Sequence, residues 1–421
     1  MRKTISVIGM GYVGLPLALQ AEAKGFSVIG LEKSPAKLKK LQQRIPIIDD
    51  EIANKRLKTT KITFTDDFSK ITNADIVIVC VPTPVDKQKN PDLSFVKAAA
   101  LESAKNMKEG SLLVVESTIN PGVCDEVVIP LIEDETDHKV GKTIYVAHCP
   151  ERINPGDPKW HVGNINRVLG ADSETGLELA YDFYSKAIDA EIKKMGNLKE
   201  AEACKIVENS FRDVNIAFVN ELAMSFEKLG IDVKNVIDGA ATKPFAFMAH
   251  YPGIGVGGHC IPVDPYYLIE YARGKGFEHH FLKLARNINE SMPSYSVDRL
   301  EQAFIEKTTE NLEGKTVTVL GLSYKANVAD DRESPAYSVI KNLKTKGAKV
   351  VVYDPYFPDK SDARSLDEAL NSSDAAVLVT NHSEYLSISK KHLKTVQVFL
   401  DGRDQLSPQV FEATSIKYLS I

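Results

Sequence analysis

The sequence predicts an α/β protein: two doubly wound parallel-sheet domains joined by a central helical segment. Three observations carry this. Short apolar runs alternate with amphipathic stretches through the first third of the chain. The same rhythm returns from Lys315. Between about 197 and 308 the patterns turn helical, and Leu198 to Leu229 holds no Pro or Gly to stop a helix before Gly230. At about 150 residues per domain, 421 residues call for two or three domains. The boundaries are expected at 1–196, 197–308 and 309–421.

In the first domain TISVIG, VIGLEK, ADIVIVCVP, LLVVEST and TIYVAHCP are strand candidates, being short and apolar enough for burial on both faces of a sheet. Residues 12–24 and 94–107 have helical periodicity. In the last domain TVTVLG, AKVVVYD, DAAVLVT and VQVFLDG are the strands. The segment from Leu198 forms one helix about 45 Å long at 1.5 Å per residue. Val207, Phe211, Val214, Phe218, Leu222, Phe226 and Leu229 recur at steps of three and four, an apolar stripe that asks for a domain or dimer core. Lys205, Asn209 and Arg212 fall on a different stripe, whose plainest reading is a solvated face.

Composition narrows the function. The 52 basic and 57 acidic residues leave a net charge of -5, with no electrostatic footprint for nucleic acid or an anionic membrane. No apolar run reaches membrane-spanning length, and the first strand starts almost at once, so a cytoplasmic protein without a signal peptide is expected. Cys80, Cys124, Cys149, Cys204 and Cys260 are odd in number and scattered. That spacing suits neither a disulfide scaffold nor a zinc site, and the histidines lack metal-ligand spacing, so no metal is expected.

Gly9-Met10-Gly11-Tyr12-Val13-Gly14 follows a strand and opens a helix, the context a G-x-G-x-x-G dinucleotide turn requires. Gly9 allows the turn, Gly11 the approach of a pyrophosphate and Gly14 close packing of helix on strand, with the phosphates at the positive helix end. Glu32 ends the second strand about 20 residues on, where a carboxylate accepts the ribose hydroxyls and repels a 2′-phosphate. NAD is therefore expected over NADP, although Lys33 stands beside it. Pro82-Thr83, Glu116-Ser117-Thr118 and Glu151-Arg152 fall at the carboxyl ends of later strands, the edge where open α/β sheets bind ligands. The alternative for these polar residues is ordinary turn and cap chemistry.

The segment from Tyr251 to Asp264 sets four glycines in six residues ahead of Cys260, with a carboxylate four residues later. A lone cysteine is ordinarily a small buried hydrophobe. Beside a nicotinamide, however, a thiol can take an aldehyde as a thiohemiacetal, whose oxidation leaves a thioester for water to hydrolyse. Lys205 and Asn209 can stabilise an alkoxide, and Asp264 can activate the water.

With GMGYVGLP, VPTP, ESTINPG, PERINPGD, AEACKIVENSFRDVNIAFVNELA, GVGGHCIPVDPYYL and GLSYKANVADDRESP in this order, the chain resembles the UDP-sugar 6-dehydrogenases. These comprise UDP-glucose dehydrogenase and its UDP-N-acetylhexosamine relatives, and the likeness runs through to DGRDQL. The resemblance implies two Rossmann-like domains, the first for NAD and the last for the UDP-sugar, and at least a homodimer through the long helix. It implies Cys260 as nucleophile, Lys205 and Asn209 as oxyanion stabilisers, Asp264 and Thr118 as handlers of water, and Glu151 near the reacting carbon. Lys325 and Arg403 look like substrate contacts, together with Arg152, Asn154, Arg212 and Gly257 in the matching segments and Tyr251 just ahead of one, while Arg332 resembles an arginine that reaches the cofactor.

Where the glucose enzymes resemble G-x-G-G-x-C-x-x-K-D, this chain reads GVGGHCIPVD, with His259 before the cysteine and Val263 in place of lysine. Such departures are similar to the acetamido-sugar branch, and the loop and the KGFEHHFLKLARNINESMPSY stretch put UDP-N-acetylglucosamine ahead of UDP-N-acetylmannosamine. Arg212, Asn215, Asn154, Arg286 and Asn289 supply more donors than a glucose site needs, although Arg286 and Asn289 also read as a surface or interface pair. The alternatives are UDP-glucose as substrate, a two-electron β-hydroxyacid dehydrogenase, which needs no thiol, and a nucleotide-sugar sensor without turnover.

Overall fold

The computed structural model describes residues 3–86, 91–153, 159–258, 260–412 and 414–421. The chain forms two compact units, Met1–Glu208 with Tyr266–Phe277, and Asn209–Pro265 with Glu278–Ile421.

The first unit is built on eight strands: β1 (Thr4–Ile8), β2 (Ser27–Leu31), β3 (Thr63–Thr65), β4 (Ile76–Val79), β5 (Leu112–Val115), β6 (Tyr145–His148), β7 (Arg167–Ala171) and β8 (Ile192–Lys194). Their spatial order is β3-β2-β1-β4-β5-β6-β7-β8. The helices are α1 (Gly14–Ala23), α2 (Pro35–Gln42), α3 (Glu51–Leu57), α4 (Ser94–Asn106), α5 (Ile129–Glu135) and α6 (Glu174–Ala187). One apolar cluster, with Ile5, Leu17, Val114, Leu169 and Phe183, covers one sheet face, and a second, with Val77, Leu113, Val115 and Val146, covers the other. Burial on both faces explains why β4 and β5 are unbroken apolar runs.

The pairing departs from an all-parallel sheet in one place: β6 and β7 are antiparallel. A parallel crossover needs a long connection, usually a helix, and no helix occurs among the described residues of 149–166. Strands β3 and β8 lie outside the expected set because TFT and IKK are three-residue edge strands without an apolar run, and RVLGA opens with a charge.

The second unit carries a parallel sheet in the order β10-β9-β11-β12-β13. Its strands are β9 (Thr316–Leu320), β10 (Lys349–Tyr353), β11 (Ala375–Leu378), β12 (Val398–Asp401) and β13 (Lys417–Ser420), the last unanticipated. The central segment is helical as expected: α7 spans Leu198–Leu229, followed by α8 (Val233–Ala241), α9 (Asp264–Gly274) and α10 (His280–Thr308). Then come α11 (Pro335–Thr345), α12 (Leu366–Leu370) and α13 (Gln409–Glu412). On α7 the expected apolar stripe divides: Leu222 and Phe226 pack against the core of the second unit and Val214 is half-buried, while Val207 is 57%, Phe211 47%, Phe218 53% and Leu229 64% exposed in the single chain.

Asp213 and Asn220 on α7 and Arg286 and Asn289 on α10 are all buried. Arg286 Nη1 donates to Asp213 Oδ1 at 2.6 Å, and Asn289 Nδ2 to the same oxygen at 2.8 Å. Asn220 Nδ2 donates to Asn289 Oδ1 at 2.8 Å, while Asn220 Oδ1 accepts the amide of Gly253 at 2.9 Å. Arg286 and Asn289 are buried and so are no surface pair; through Asn220 they brace the glycine loop. Burial pushes the Asp213 carboxyl up, with Arg286 opposing it. Asn220→Ala strands buried groups at both ends and should cost about 1–3 kcal/mol, read as a lower denaturation midpoint for this unit; an unchanged midpoint would show that the brace carries no stability.

Candidate active site

Strand β1 delivers its chain into the glycine turn. Gly9 has φ +90°, and a Cβ there would lie 2.6 Å from the Cys80 carbonyl oxygen. At Gly14 a Cβ would lie 2.0 Å from the Gly9 carbonyl oxygen, so only glycine lets α1 start this close to the strand. Gly11 differs: nothing among the described residues lies within 4 Å of its missing Cβ, which leaves its backbone open to an approaching pyrophosphate. Tyr12 and Val13 are half-buried against the core beside it. Helix α1 has no side-chain cap at Val13, so its positive end suits an anion.

Glu32 follows β2 and is fixed against this turn, accepting the Met10 amide at 3.2 Å and the Ser34 amide at 2.9 Å. The open Gly11, the uncapped helix and an adjoining carboxylate fit NAD. Lys33 turns elsewhere, its Nζ 4.7 Å from the Phe68 ring centroid and 3.4 Å from the Asp66 carbonyl.

Farther along the carboxyl edge, the Thr83 carbonyl accepts the Tyr267 hydroxyl, next to an exposed Pro82. The Ser117 hydroxyl donates to the Val81 carbonyl at 2.7 Å, tying the ends of β4 and β5 together, and Thr118 beside it is half-buried. Glu151, after β6, is buried; its Oε1 accepts the amides of Arg152 and Ile153 at 2.6 and 2.7 Å. Arg152 is committed to Glu208 at 3.2 Å and the Asn166 carbonyl at 3.0 Å. Lys205 is half-buried on α7, one turn before Asn209.

The second unit holds the thiol. Its glycine loop packs against the GLSYK and DDRESP segments: a Cβ at Gly257 would lie 2.6 Å from Tyr324 Cβ, and the Gly258 amide donates to the Arg332 carbonyl at 3.0 Å. The Cys260 carbonyl then accepts the amides of Val263 and Asp264 at 3.0 and 2.8 Å, seating the cysteine one turn ahead of α9. Asp264 is buried and accepts a hydrogen bond from the buried Asn209 amide. So two residues 55 apart in the chain meet behind the cysteine, and Asn209 leaves the solvated face that its helix stripe suggested.

Arg332 is bound by Asp330 at 2.6 Å; that carboxylate, more than Tyr324 or Cys260, holds its pKa up. Arg403 donates Nε to the Val379 carbonyl at 2.8 Å and sits beside Gly253. Burial pulls its pKa down while Asp401 opposes. Lys325 is half-buried in the loop after β9, Arg212 is exposed, and Tyr251, 49% exposed, donates to Asp238 at 2.7 Å. Asn215 turns its amide back onto the Phe211 carbonyl at 2.6 Å. Asn154 and His259 lie outside the described residues. All five cysteines are thiols.

Sequence reasoning missed two groups. Arg167 is fully buried with Glu116 and Glu151 on either side; a lone cation heading an apolar strand was the available signal. Asp354, ending β10 as Glu32 follows β2, accepts from the Leu322 and Ser323 amides and from His382. Although burial works against it, His382 and those amides hold the Asp354 pKa at about 2. Among the described residues no group of three or more His, Cys, Asp or Glu could hold a metal ion, and no helix is long and apolar enough to cross a membrane.

Three models of the UDP-glucose/GDP-mannose dehydrogenase family match the chain: the NAD binding domain over 3–188, the central domain over 199–291 and the UDP binding domain over 318–408. A UDP-N-acetyl-D-mannosamine dehydrogenase of Pyrococcus horikoshii is 35% identical over 407 residues, 95% of each chain. A UDP-N-acetyl-D-glucosamine 6-dehydrogenase of Pseudomonas aeruginosa is 32% identical over 396 residues, 93% of each. The solved UDP-D-ManNAc dehydrogenase structure from P. horikoshii superposes with a TM-score of 0.92 at 33% identity, covering 99% of both chains. A 3-hydroxyisobutyrate dehydrogenase of Mycobacterium tuberculosis, 16% identical over 71% of this chain at a TM-score of 0.51, shares the fold alone. With the family's NAD binding, central and UDP binding domains all matched in order, the chain belongs to the UDP-glucose/GDP-mannose dehydrogenase family and is an NAD-dependent UDP-sugar dehydrogenase, an oxidoreductase.

Proposed function

We propose that the chain oxidises the C6 hydroxyl of a UDP-N-acetylhexosamine to a carboxylate, in four electrons, through a thiohemiacetal and a thioester on Cys260. The observation that carries this reading is the turn that seats Cys260 ahead of α9, with the Asn209 and Asp264 side chains joined behind it. A two-electron alcohol dehydrogenase has no use for a thiol held in this way. Bound NAD supplies the hydride acceptor for both oxidations.

The chain's own groups do the rest. Lys205 and Asn209 present an ammonium and an amide that stabilise negative charge, first on the C6 alkoxide and then on the tetrahedral oxygens. The Cys260 sulfur bonds to C6 of the aldehyde while the carbonyl oxygen takes a proton. At the thioester stage a water oxygen bonds to C6, the C–S bond breaks, one water proton passes to the thiolate and the other passes through Asp264 to solvent. Asp264 and Thr118 hold that water, with Asp264 the acceptor of its proton. Glu151 lies near the reacting carbon in this reading, while Arg332 reaches the cofactor and Gly257, Lys325 and Arg403 touch the substrate.

The loop motifs by themselves put the glucosamine epimer first. The more similar named relative acts, by its name, on the mannosamine epimer, and UDP-N-acetylmannosamine takes first place here. We further propose a homodimer through the exposed residues of the α7 stripe, Val207, Phe211, Phe218 and Leu229, since large apolar side chains along one helix are costly to leave in water.

A panel of UDP-N-acetylmannosamine, UDP-N-acetylglucosamine, UDP-N-acetylgalactosamine and UDP-glucose with NAD should give two NADH per acetamido sugar; one NADH per sugar would sink the thioester route. Cys260→Ser should stop at the bound aldehyde level, with no uronate by mass spectrometry, and uronate formation at the normal rate would remove the thiol from the mechanism. In sedimentation the chain should run as a dimer or larger, and Phe218→Asp should shift it towards monomer; an unchanged distribution would place the contact elsewhere.

A further inference from the structure

The first sheet carries three charged side chains to one buried spot. The β6–β7 register pairs Ala147 with Ala171 and His148 with Gly170, and carrying it three residues further sets Glu151 opposite Arg167. The β5–β6 register pairs Val115 with His148, which brings Glu116 beside Cys149. Alternate residues share a face, so Glu116, Cys149, Glu151 and Arg167 all stand on the side packed by α6, with Val114, Ala147 and Leu169. Arg167 Nη2 lies 2.8 Å from Glu151 Oε2, and Nη1 lies 3.8 Å from Glu116 Oε2. The Tyr184 hydroxyl donates to the other Glu116 oxygen. Arg167 and Glu116 are 1% exposed and Glu151 6%.

Two carboxylates thus face one guanidinium in a place where an unbalanced charge is costly. Glu151 has the shorter contact to Arg167 and also accepts two backbone amides. Glu116 has one phenol and a long contact, so it is the group that takes up a proton. Burial raises its pKa to about 7, with Arg167 opposing and Glu151 adding. Burial works against the Arg167 charge, but Glu151 and Glu116 outweigh it. Around them the Cys80 and Cys149 thiols and the Tyr184 phenol are all pushed up by burial and stay neutral. His148, on the other face, is pushed down to about 3 by burial and is neutral too.

We propose that Arg167 is a positioning residue: it clamps the Glu151 carboxylate onto the backbone amides of Arg152 and Ile153, and Glu116, when ionised, competes for that clamp. A protonated Glu116 leaves the guanidinium to Glu151. An ionised Glu116 draws it away and loosens the turn that presents Glu151 and Arg152. The consequence for turnover rests on the function proposed above, whereas the clamp itself does not.

Amide exchange at Arg152 and Ile153, measured beside steady-state NADH formation, tests this. Arg167→Met removes the ion pair that holds Glu151 and should speed exchange at both amides about tenfold, the size of one net polar contact. It should lower kcat about 100-fold with little change in the KM for UDP-sugar, the usual cost of a misplaced group. Arg167→Lys, which keeps the charge without the fork, should recover part of both. Relative to Glu116→Gln, the wild type should lose protection at these amides as pH rises through neutrality, and kcat should fall with it. Unchanged exchange in Arg167→Met, or the same pH dependence in Glu116→Gln as in the wild type, would overturn the proposal. Should Arg167→Met fail to fold, the Glu116→Gln comparison decides alone. A wild type that oxidises no UDP-sugar would overturn the function instead, and the exchange data would still decide the clamp.

Discussion

The closest steric constraint in the nucleotide half is the meeting of Gly14 with the Gly9 carbonyl, where even a methyl group has no room. Because α1 can start against the strand, its amide end faces the sheet edge and Glu32 reaches back to the Met10 amide. Remove that close approach and the helix end, the open Gly11 and the ribose-binding carboxylate all move apart. Each supplies part of the NAD site, and the turn conformation holds them together.

The second sheet repeats the architecture and spends the equivalent carboxylate differently. Asp354 Oδ2 alone receives the Leu322 and Ser323 amides, the Ser323 hydroxyl and His382, while Oδ1 takes the Tyr356 amide. An acid already saturated by its own turn has little left for a ribose. The two Rossmann-like halves therefore divide their labour through hydrogen-bond bookkeeping, not through a change of fold. Within the second unit the glycine loop hangs on a buried polar chain from Arg286 to Gly253. Such a chain adds little net stability compared with an apolar core, but with its partners satisfied it holds one loop conformation.

Much of this was legible in the residues. The helix from Leu198 to Leu229 follows from thirty-two residues without a breaker, and the glycine turn from its place between strand and helix. Family motifs named Cys260, Asn209 and Asp264. Polarity misled where a charged or amide side chain is buried: the helix stripe put Asn209 on a solvated face, a surface pair was one reading of Arg286 and Asn289, and Arg167 was no candidate at all.

Local periodicity and turn chemistry depend on neighbours in the chain, so sequence alone determined the α/β class, the long helix and the dinucleotide turn. Which polar groups meet depends on register and crossing between distant segments, set by packing. Only the tertiary structure could decide that β7 runs antiparallel and so brings Arg167 to Glu151, that Asn209 finds Asp264, and that Val207, Phe211, Phe218 and Leu229 of the α7 stripe stay uncovered within one chain while Leu222 and Phe226 join the core.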